Sequence, residues 1–537
     1  MEIINKNNKH LLFKNLPSLV TGGFKPAKDI GIGWIPFEYK FDDFAGTGLA
    51  TGAHSSANEL VLNLNLKGWH RLYLAHTPSI RVWLDGDKGY CEIPGFTSDI
   101  RDYAFPAADF TGKNLHISPV HGKTLSRELI VFYLRAESCE PYNSRRNLIA
   151  TNDGHGIFWS GIDCPRDIYR HILPFKDSDF FRMIWGLYGG GLIGTWADLS
   201  GIDIVPRDDS KSFYANHWVL NQSIRNVLSA GVDPLTVVRD ATREIGMELH
   251  FYFRVGAFYA PFPIHSYTTQ FFNENPQWHC CDEFGHKVKR ISYAYPEVQD
   301  KILSYFEKVL EYEPEGLCLS FNRGLPLMIC EEPVINAFEQ IYGRKPSLPE
   351  EVDSSEMLSV RYQLLTDFIA RVHKLVSKHG KVLSCIVPRD FEKNKIFGLD
   401  IEILVSKGFI ESVMIGAGHK DNPVLNEHLE PLKILKSLGT KIYAGGSDNI
   451  VLGNAWVKGN LAARAGYMAK ILDAGLDGGF FWDAESIIGT EWEPMRCFGN
   501  RTILSEIING EWPKVNYHDT KYIYDLVVDR YNPWNAY

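Results

Sequence analysis

The sequence predicts an α/β chain: a (β/α)8 TIM barrel over about residues 147–510, preceded by an all-β, sandwich-like domain over about residues 1–146. Two observations carry this. Up to about Tyr142, apolar alternation and turn residues recur with no strong helical period. From Asn147 onward, short apolar strands alternate with helical patterns, the signature of parallel βα units. A tail over 511–537 is left over, and it is expected to pack on the N-terminal domain.

The N-terminal strands are Glu59–Leu66, His70–Ala75, Ser79–Leu84 and Glu128–Leu134, punctuated by Asp85-Gly86 and Asp87-Lys-Gly89. Short strands separated by such turns suggest two packed sheets. In the second part, strand one is Leu148–Thr151, followed by a helix over Pro165–Pro174, and strand two is Arg182–Leu187. A helix over Pro234–Ile245 leads to strand three, Glu248–Arg254. The next helix starts at Pro296, where a missing N–H costs nothing. Its Val298, Ile302, Leu303, Phe306, Val309 and Leu310 follow the 3.6-residue period.

Strand four is Gly316–Phe321, and a long helix over Ser354–His379 is ended by Gly380. Strand five is Val382–Val387, and the short helix Asp400–Ser406 leads to strand six, Ser412–Ile415. A helix over Leu429–Leu438 leads to strand seven, Lys441–Ala444, and one over Leu461–Ala474 to strand eight, Gly479–Trp482. The last helix is Arg501–Ile508. Eight strands and eight helices are what barrel closure requires.

The 537 residues include 56 basic and 65 acidic ones, a net charge of -9, and no long Lys/Arg run, which argues against a nucleic-acid partner. No apolar stretch approaches the roughly 18 residues of a membrane span. Met1–Phe24 has no continuous apolar core, so no secretory signal is expected. Nine scattered cysteines, an odd number, read as reduced thiols, and a cytoplasmic protein is expected. Aromatic residues reach 13%, which suits stacking surfaces as well as a well-filled core. The sequence leaves a homo-oligomer open.

Barrel active sites lie at the C-terminal ends of the strands. Strand one is followed by Asp153 and His155; strand two carries Trp185; strand three ends in Tyr252 and Arg254; strand four in Asn322 and Arg323, with Glu331 and Glu332 beyond. Strand five gives Arg389 and Asp390, strand six His419 and Asp421, strand seven Asp448, and strand eight Trp482, Asp483 and Glu485. Hydrolysis of a glycosidic bond needs two carboxyl groups, one to protonate the leaving oxygen and one to attack or to activate water. Trp and Tyr can cover a sugar ring, and Arg and Asn can bond its hydroxyls. Each acid also has an ordinary alternative as a helix cap or a solvated loop charge. Asp483 stands apart, because Gly478–Phe481 places it directly off a buried strand beside a Trp. Arg254 and Arg323 end apolar strands, where a charge is costly unless it is paired or reaches the cleft.

No metal and no cofactor are expected. His279-Cys-Cys-Asp282 with His286 looks like a row of ligands, but no second Cys/His pair has zinc spacing. No Gly-rich loop opens a helix in a dinucleotide or P-loop pattern, and Gly189-Gly-Gly191 is weak on its own.

The stretch Asn275-Pro-Gln-Trp278, Gly285, Ser292–Asp300 and Gly316–Phe321 resembles the "family 10-like" glycosyl-hydrolase-like barrel proteins. In these an Asn-Pro-x-Trp loop precedes a Pro-Glu-Val-x-Asp helix and then a barrel strand. The resemblance implies a sandwich followed by a barrel and a carbohydrate substrate. Many related barrels carry an acid at the end of that strand, whereas this one ends Ser320-Phe-Asn-Arg323. The catalytic acids must then come from elsewhere.

The expected function is a glycoside hydrolase for a small glycoside or oligosaccharide. Asp483 and Glu332 are the acid/base and nucleophile pair, with Asp153 in reserve. Trp185, Tyr252, Arg254, Asn322, Arg323, His155, Trp482 and Glu485 are expected to bind substrate. A metal-dependent sugar isomerase or epimerase, and a carbohydrate-binding barrel without catalysis, are the alternatives.

Overall fold

The computed structural model describes residues 2–3, 10–28, 31–41, 44–52, 57–76, 80–93, 99–120, 129–154, 158, 164–187, 215–256, 258–259, 268–322, 325–415, 425–447, 450–452, 460–484, 492–512 and 517–519. The N-terminal part forms two antiparallel sheets, contributing seven strands to one of eight and all four strands of the other. In the larger, Leu129–Ser138 pairs with Trp69–His76, Phe44–Gly52 and His10–Leu12. In the smaller, Leu115–Pro119 lies between Leu60–Leu62 and Ile80–Leu84. Strands alternate buried and half-buried residues, so each sheet has one packed face: Leu62, Val82 and Ile117 from the smaller and Leu72, Leu74 and Leu134 from the larger enter one apolar core. Tyr517–Asp519 adds an antiparallel strand to Asp99–Asp109.

The eight parallel strands expected from the sequence close into a barrel in chain order: Leu148–Asn152, Phe180–Gly186, Glu248–Arg254, Gly316–Ser320, Val382–Val387, Ser412–Ile415, Lys441–Ala444 and Gly478–Phe481. Every strand contributes to the interior: Ile149, Ile184, Tyr252, Cys318, Ile386, Met414, Tyr443 and Phe480 pack together there. The opposite faces, including Ala150, Met183, Trp185, Phe251, Leu317 and Val413, join the layer beneath the helices. Both faces are therefore apolar, as parallel sheets require.

The helices bury their periodic residues on that layer, as Val298, Ile302, Phe306 and Val309 do from Pro296–Leu310. Several start on a side-chain cap: Asp233, Ser354, Asp400, Asn460 and Asn500 each accept a backbone N–H of the first turn. The expected Pro165–Pro174 helix is shorter, a single turn Arg166–Tyr169 followed by a 3-10 turn Leu173–Phe175, because Pro174 cannot continue an α-helix. Helices also form over Ala215–Ser229, Gln270–Glu274, Glu332–Tyr342, Phe391–Ile396 and Trp492–Met495, which the periodicity did not pick out.

The N-terminal mouth of the barrel is closed by charge. Arg182, 2% exposed, bonds Glu248 at 2.9 Å, Glu411 at 3.1 Å and the Ser412 hydroxyl at 2.8 Å. On the strand Trp69–His76, Arg71 pairs with Asp177 at 2.6 Å, and Arg496 meets the same carboxylate at 3.2 Å. This ties the larger sheet to the loop before strand two and to the helix after strand eight. Among the described residues no helix is long and apolar enough to cross a membrane.

Candidate active site

At the opposite mouth, polar side chains gather on strands one, three and eight. Strand one ends at Asn152, whose side-chain oxygen accepts the Gly154 N–H at 2.8 Å and turns the chain. Gly154 takes φ +75°, and a Cβ there would collide with the Gly186 carbonyl oxygen. At Gly186, the end of strand two, a Cβ would collide with the Asp153 carbonyl oxygen and lie 3.2 Å from the Tyr252 ring. These two glycines let the ends of strands one and two approach closely. They leave the space through which Asp153 reaches over strand two to strand three.

There, Asp153 accepts a hydrogen bond from the Tyr252 hydroxyl and an ion pair from Arg254 at 2.6 Å. Arg254 also donates to the Tyr252 oxygen at 3.2 Å. Tyr252 and Arg254 are two residues apart on one strand, so both side chains enter the barrel. Both are buried, whereas Asp153 keeps 15% of its side chain exposed. Burial, above all, holds the Tyr252 phenol well above its ordinary range, and the Asp153 and Asp483 carboxylates push it further while Arg254 opposes them. Tyr252 thus stays protonated and donates to Asp153.

Strand eight brings the second half. Trp482 is half-buried, 6.4 Å from Tyr252 between ring centroids, and the Arg254 guanidinium lies 6.0 Å from its ring. Asp483 follows in the left-handed region at φ +48°, rare for a residue with a Cβ. Its N–H donates to the Thr151 hydroxyl at 2.9 Å. Asp153, Thr151, Tyr252, Arg254, Trp482 and Asp483 thus form one cluster at the end of the barrel where βα loops meet solvent.

Other expected residues lie elsewhere. Asn322 is half-buried and accepts from Ser320, which pairs in register with Arg254, at 2.5 Å. Trp185 is 1% exposed and sits in the layer outside the barrel, so no ring face is open to a ligand. Glu332 is exposed in the first turn of Glu332–Tyr342, where an acid suits the helix dipole. Among the described residues no hydrogen bond or ion pair joins it to the cluster. Its neighbour Glu331 is 1% exposed and fully engaged, accepting from Ser292 and from the backbone N–H groups of Ile329 and Cys281. Burial raises its pKa above the ordinary carboxylate value. It clamps the hairpin His279–Cys281/Lys287–Ile291 to the loop after strand four.

Asp390 caps the helix Phe391–Ile396. In the His279-Cys-Cys-Asp282 run, the His279 ring stacks on Phe272 at 3.9 Å, Cys280 is buried, and Asp282 bonds His286 at 3.1 Å. Among the described residues no group of three His, Cys, Asp or Glu is arranged to hold a metal ion. His155, Arg323 and Glu485 lie outside the described residues, as do His419, Asp421 and Asp448. Thr151 escaped the sequence reading. Its signal was a hydroxyl in the otherwise apolar run Leu148-Ile-Ala, where Val would pack equally well.

No protein-family model matches the chain. No curated protein matches it either. Among solved structures, the chain is similar to the alpha-L-fucosidase isoenzyme 2 from Paenibacillus thiaminolyticus, at 13% identity over 68% of this chain and 50% of that one, with a TM-score of 0.43. It thus spans half of the fucosidase. It is similar to the catalytic domain of beta-amylase from Paenibacillus polymyxa, at 9% identity over 69% of this chain and 100% of that one, TM-score 0.43. It is also similar to the CBM22-1-GH10 modules of the N-terminal endo-1,4-beta-D-xylanase 10B of Clostridium thermocellum, at 11% identity over 94% and 98% of the two chains, TM-score 0.33. At these identities none of the three transfers a residue or an activity to this chain.

Proposed function

We propose that the protein is a glycoside hydrolase for a small glycoside or oligosaccharide, with Asp153 and Asp483 as its two carboxyl groups. The observation that carries the reading is the cluster itself: Asp153 accepts from the buried Tyr252 phenol and from Arg254, and Asp483 directly follows the half-buried Trp482, whose ring lies 6.4 Å from that of Tyr252. The sequence paired Asp483 with Glu332, but Asp153 is the acid that shares the cluster. An Arg N–H and a phenol O–H both donate to Asp153. Such donors favour a carboxylate. Asp153 therefore takes the role of base or nucleophile, and Asp483 protonates the leaving oxygen. Trp482 covers one face of the sugar ring. A reducing compartment fits nine cysteines that form no disulfide.

The test is turnover of a panel of 4-nitrophenyl α- and β-glycosides by the wild-type protein, Asp153→Asn and Asp483→Asn. Loss of a general acid or base costs about 10²–10⁴-fold. Asn tolerates a left-handed backbone, so Asp483→Asn keeps the fold. Wild-type turnover in either variant overturns the assignment. Sugar binding with no turnover in the wild type points to a binding barrel, and a stoichiometric divalent metal points to an isomerase.

A further inference from the structure

We propose that Thr151 is a positioning residue for Asp483: its hydroxyl takes over where the sheet between strands one and eight ends, and fixes the backbone that aims the acid. This rests on the glycosidase reading above. Strands one and eight pair in register from Leu148 with Gly479 to Ala150 with Phe481, and there the pairing stops. The next residue of strand one is Thr151, 0% exposed. Its hydroxyl donates to the Phe481 carbonyl at 3.2 Å and accepts the Asp483 N–H at 2.9 Å. One side-chain oxygen thus serves a backbone acceptor and a backbone donor two residues apart, as the absent sheet rung would have done.

The need for it follows from the path of strand eight. Phe480 and Trp482 face the barrel interior, while Phe481 and Ala484 belong to the outer layer. Trp482 is tied on its other side by its N–H to the Leu452 carbonyl at 3.0 Å. Between Trp482 and the fully buried Ala484, the chain turns through a left-handed residue, and that residue is Asp483. A left-handed conformation at a non-glycine residue persists only where its surroundings over-determine it. The Thr151 hydroxyl supplies one such constraint from inside the barrel. Val has the shape of Thr without the oxygen, so the hydroxyl serves the hydrogen bonds and not the packing.

The experiment compares Thr151→Val, Thr151→Ser and Asp483→Asn with wild type on the 4-nitrophenyl glycoside that the wild-type protein turns over. A catalytic group displaced by about 1 Å loses on the order of 100-fold in rate. Thr151→Val should therefore lower kcat about 100-fold with KM unchanged. Thr151→Ser, which keeps the hydroxyl, should restore kcat to within about 3-fold of wild type. The amide of Asp483 should lose its hydrogen-exchange protection in Thr151→Val alone. If Thr151→Val does not fold, Thr151→Cys serves instead: it differs from Thr151→Ser only in sulfur for oxygen, which weakens both bonds, and kcat lowered relative to Thr151→Ser at constant KM is expected. Wild-type kcat in Thr151→Val or Thr151→Cys, with Asp483→Asn inactive, overturns the role of Thr151 and leaves the glycosidase reading standing. Full activity in Asp483→Asn overturns that reading and this one with it.

Discussion

Replacing Arg254 by Met tests whether the strand-three pair is what holds Asp153 at the mouth. Met has a similar length and no charge, so the change removes the ion pair without opening a large cavity. Breaking a fully buried pair by removing one partner costs about 3–5 kcal/mol. Here the Arg254 side chain is 3% exposed but Asp153 is 15% exposed, and Tyr252 still donates to it. The stranded carboxylate is therefore partly hydrated and partly bonded, and the expected loss falls just below that range, about 2–3 kcal/mol. Asp153→Asn removes the Asp153 charge from beside the more deeply buried guanidinium and should cost about 3–4 kcal/mol. The double variant removes both charges, so its loss should fall short of the sum of the two by about 2 kcal/mol. Urea denaturation of the four proteins reads these values from the midpoints, with a common m-value as the control. Additivity within about 0.5 kcal/mol would refute the reasoning, because it would mean that the two groups do not depend on each other.

Trp482→Ala should raise KM about 3–10-fold with little change in kcat, the equivalent of the roughly 0.5–1.5 kcal/mol of one aromatic contact; an unchanged KM would remove Trp482 from the sugar site. Gly186→Ala places a methyl group against the Asp153 carbonyl and the Tyr252 ring. It should destabilise the barrel by about 1–3 kcal/mol and lower activity, whereas a neutral midpoint in urea would show that the strand ends have room to spare. His116 sits between Glu59 and Asp85, 2.7 Å from the latter, with Trp83 stacked at 5.2 Å. Burial pulls its pKa down, but the hydrogen bonds to Asp85 and Glu59 outweigh this and lift it above the ordinary value of 6.5. A raised folded pKa gives stability that is complete below pH 6.5 and is lost as pH rises through the folded value. The Tm difference between wild type and His116→Asn should accordingly shrink from pH 6 to pH 9, and a difference that stays constant or grows would reverse the assignment.

The barrel was legible because its strands are short, apolar and flanked by helices with a clear period. A run such as Val382–Val387 or Ser412–Ile415 has few other solutions in a chain of this size. The same property hid the facing of each strand. A half-exposed strand announces its inner face by alternation, but a parallel strand is apolar on both faces, so Leu148–Asn152 and Phe180–Gly186 carry no such mark. Trp185 therefore read as a strand-end ligand group when it packs outward, and Thr151 passed as filler when it points inward. Tyr252 and Arg254 could be placed because two polar-tipped residues two apart on an apolar strand must share a face, and a buried charge must find a partner. What the strand could not show was which acid that partner is. Asp153 and Glu332 both follow a barrel strand, and what separates them is the Gly154–Gly186 contact, a pairing between residues 32 positions apart that clears the way for one carboxylate. The catalytic geometry proposed here thus depends less on the acids themselves than on the small residues around them: two glycines that admit Asp153 and one hydroxyl that turns Asp483.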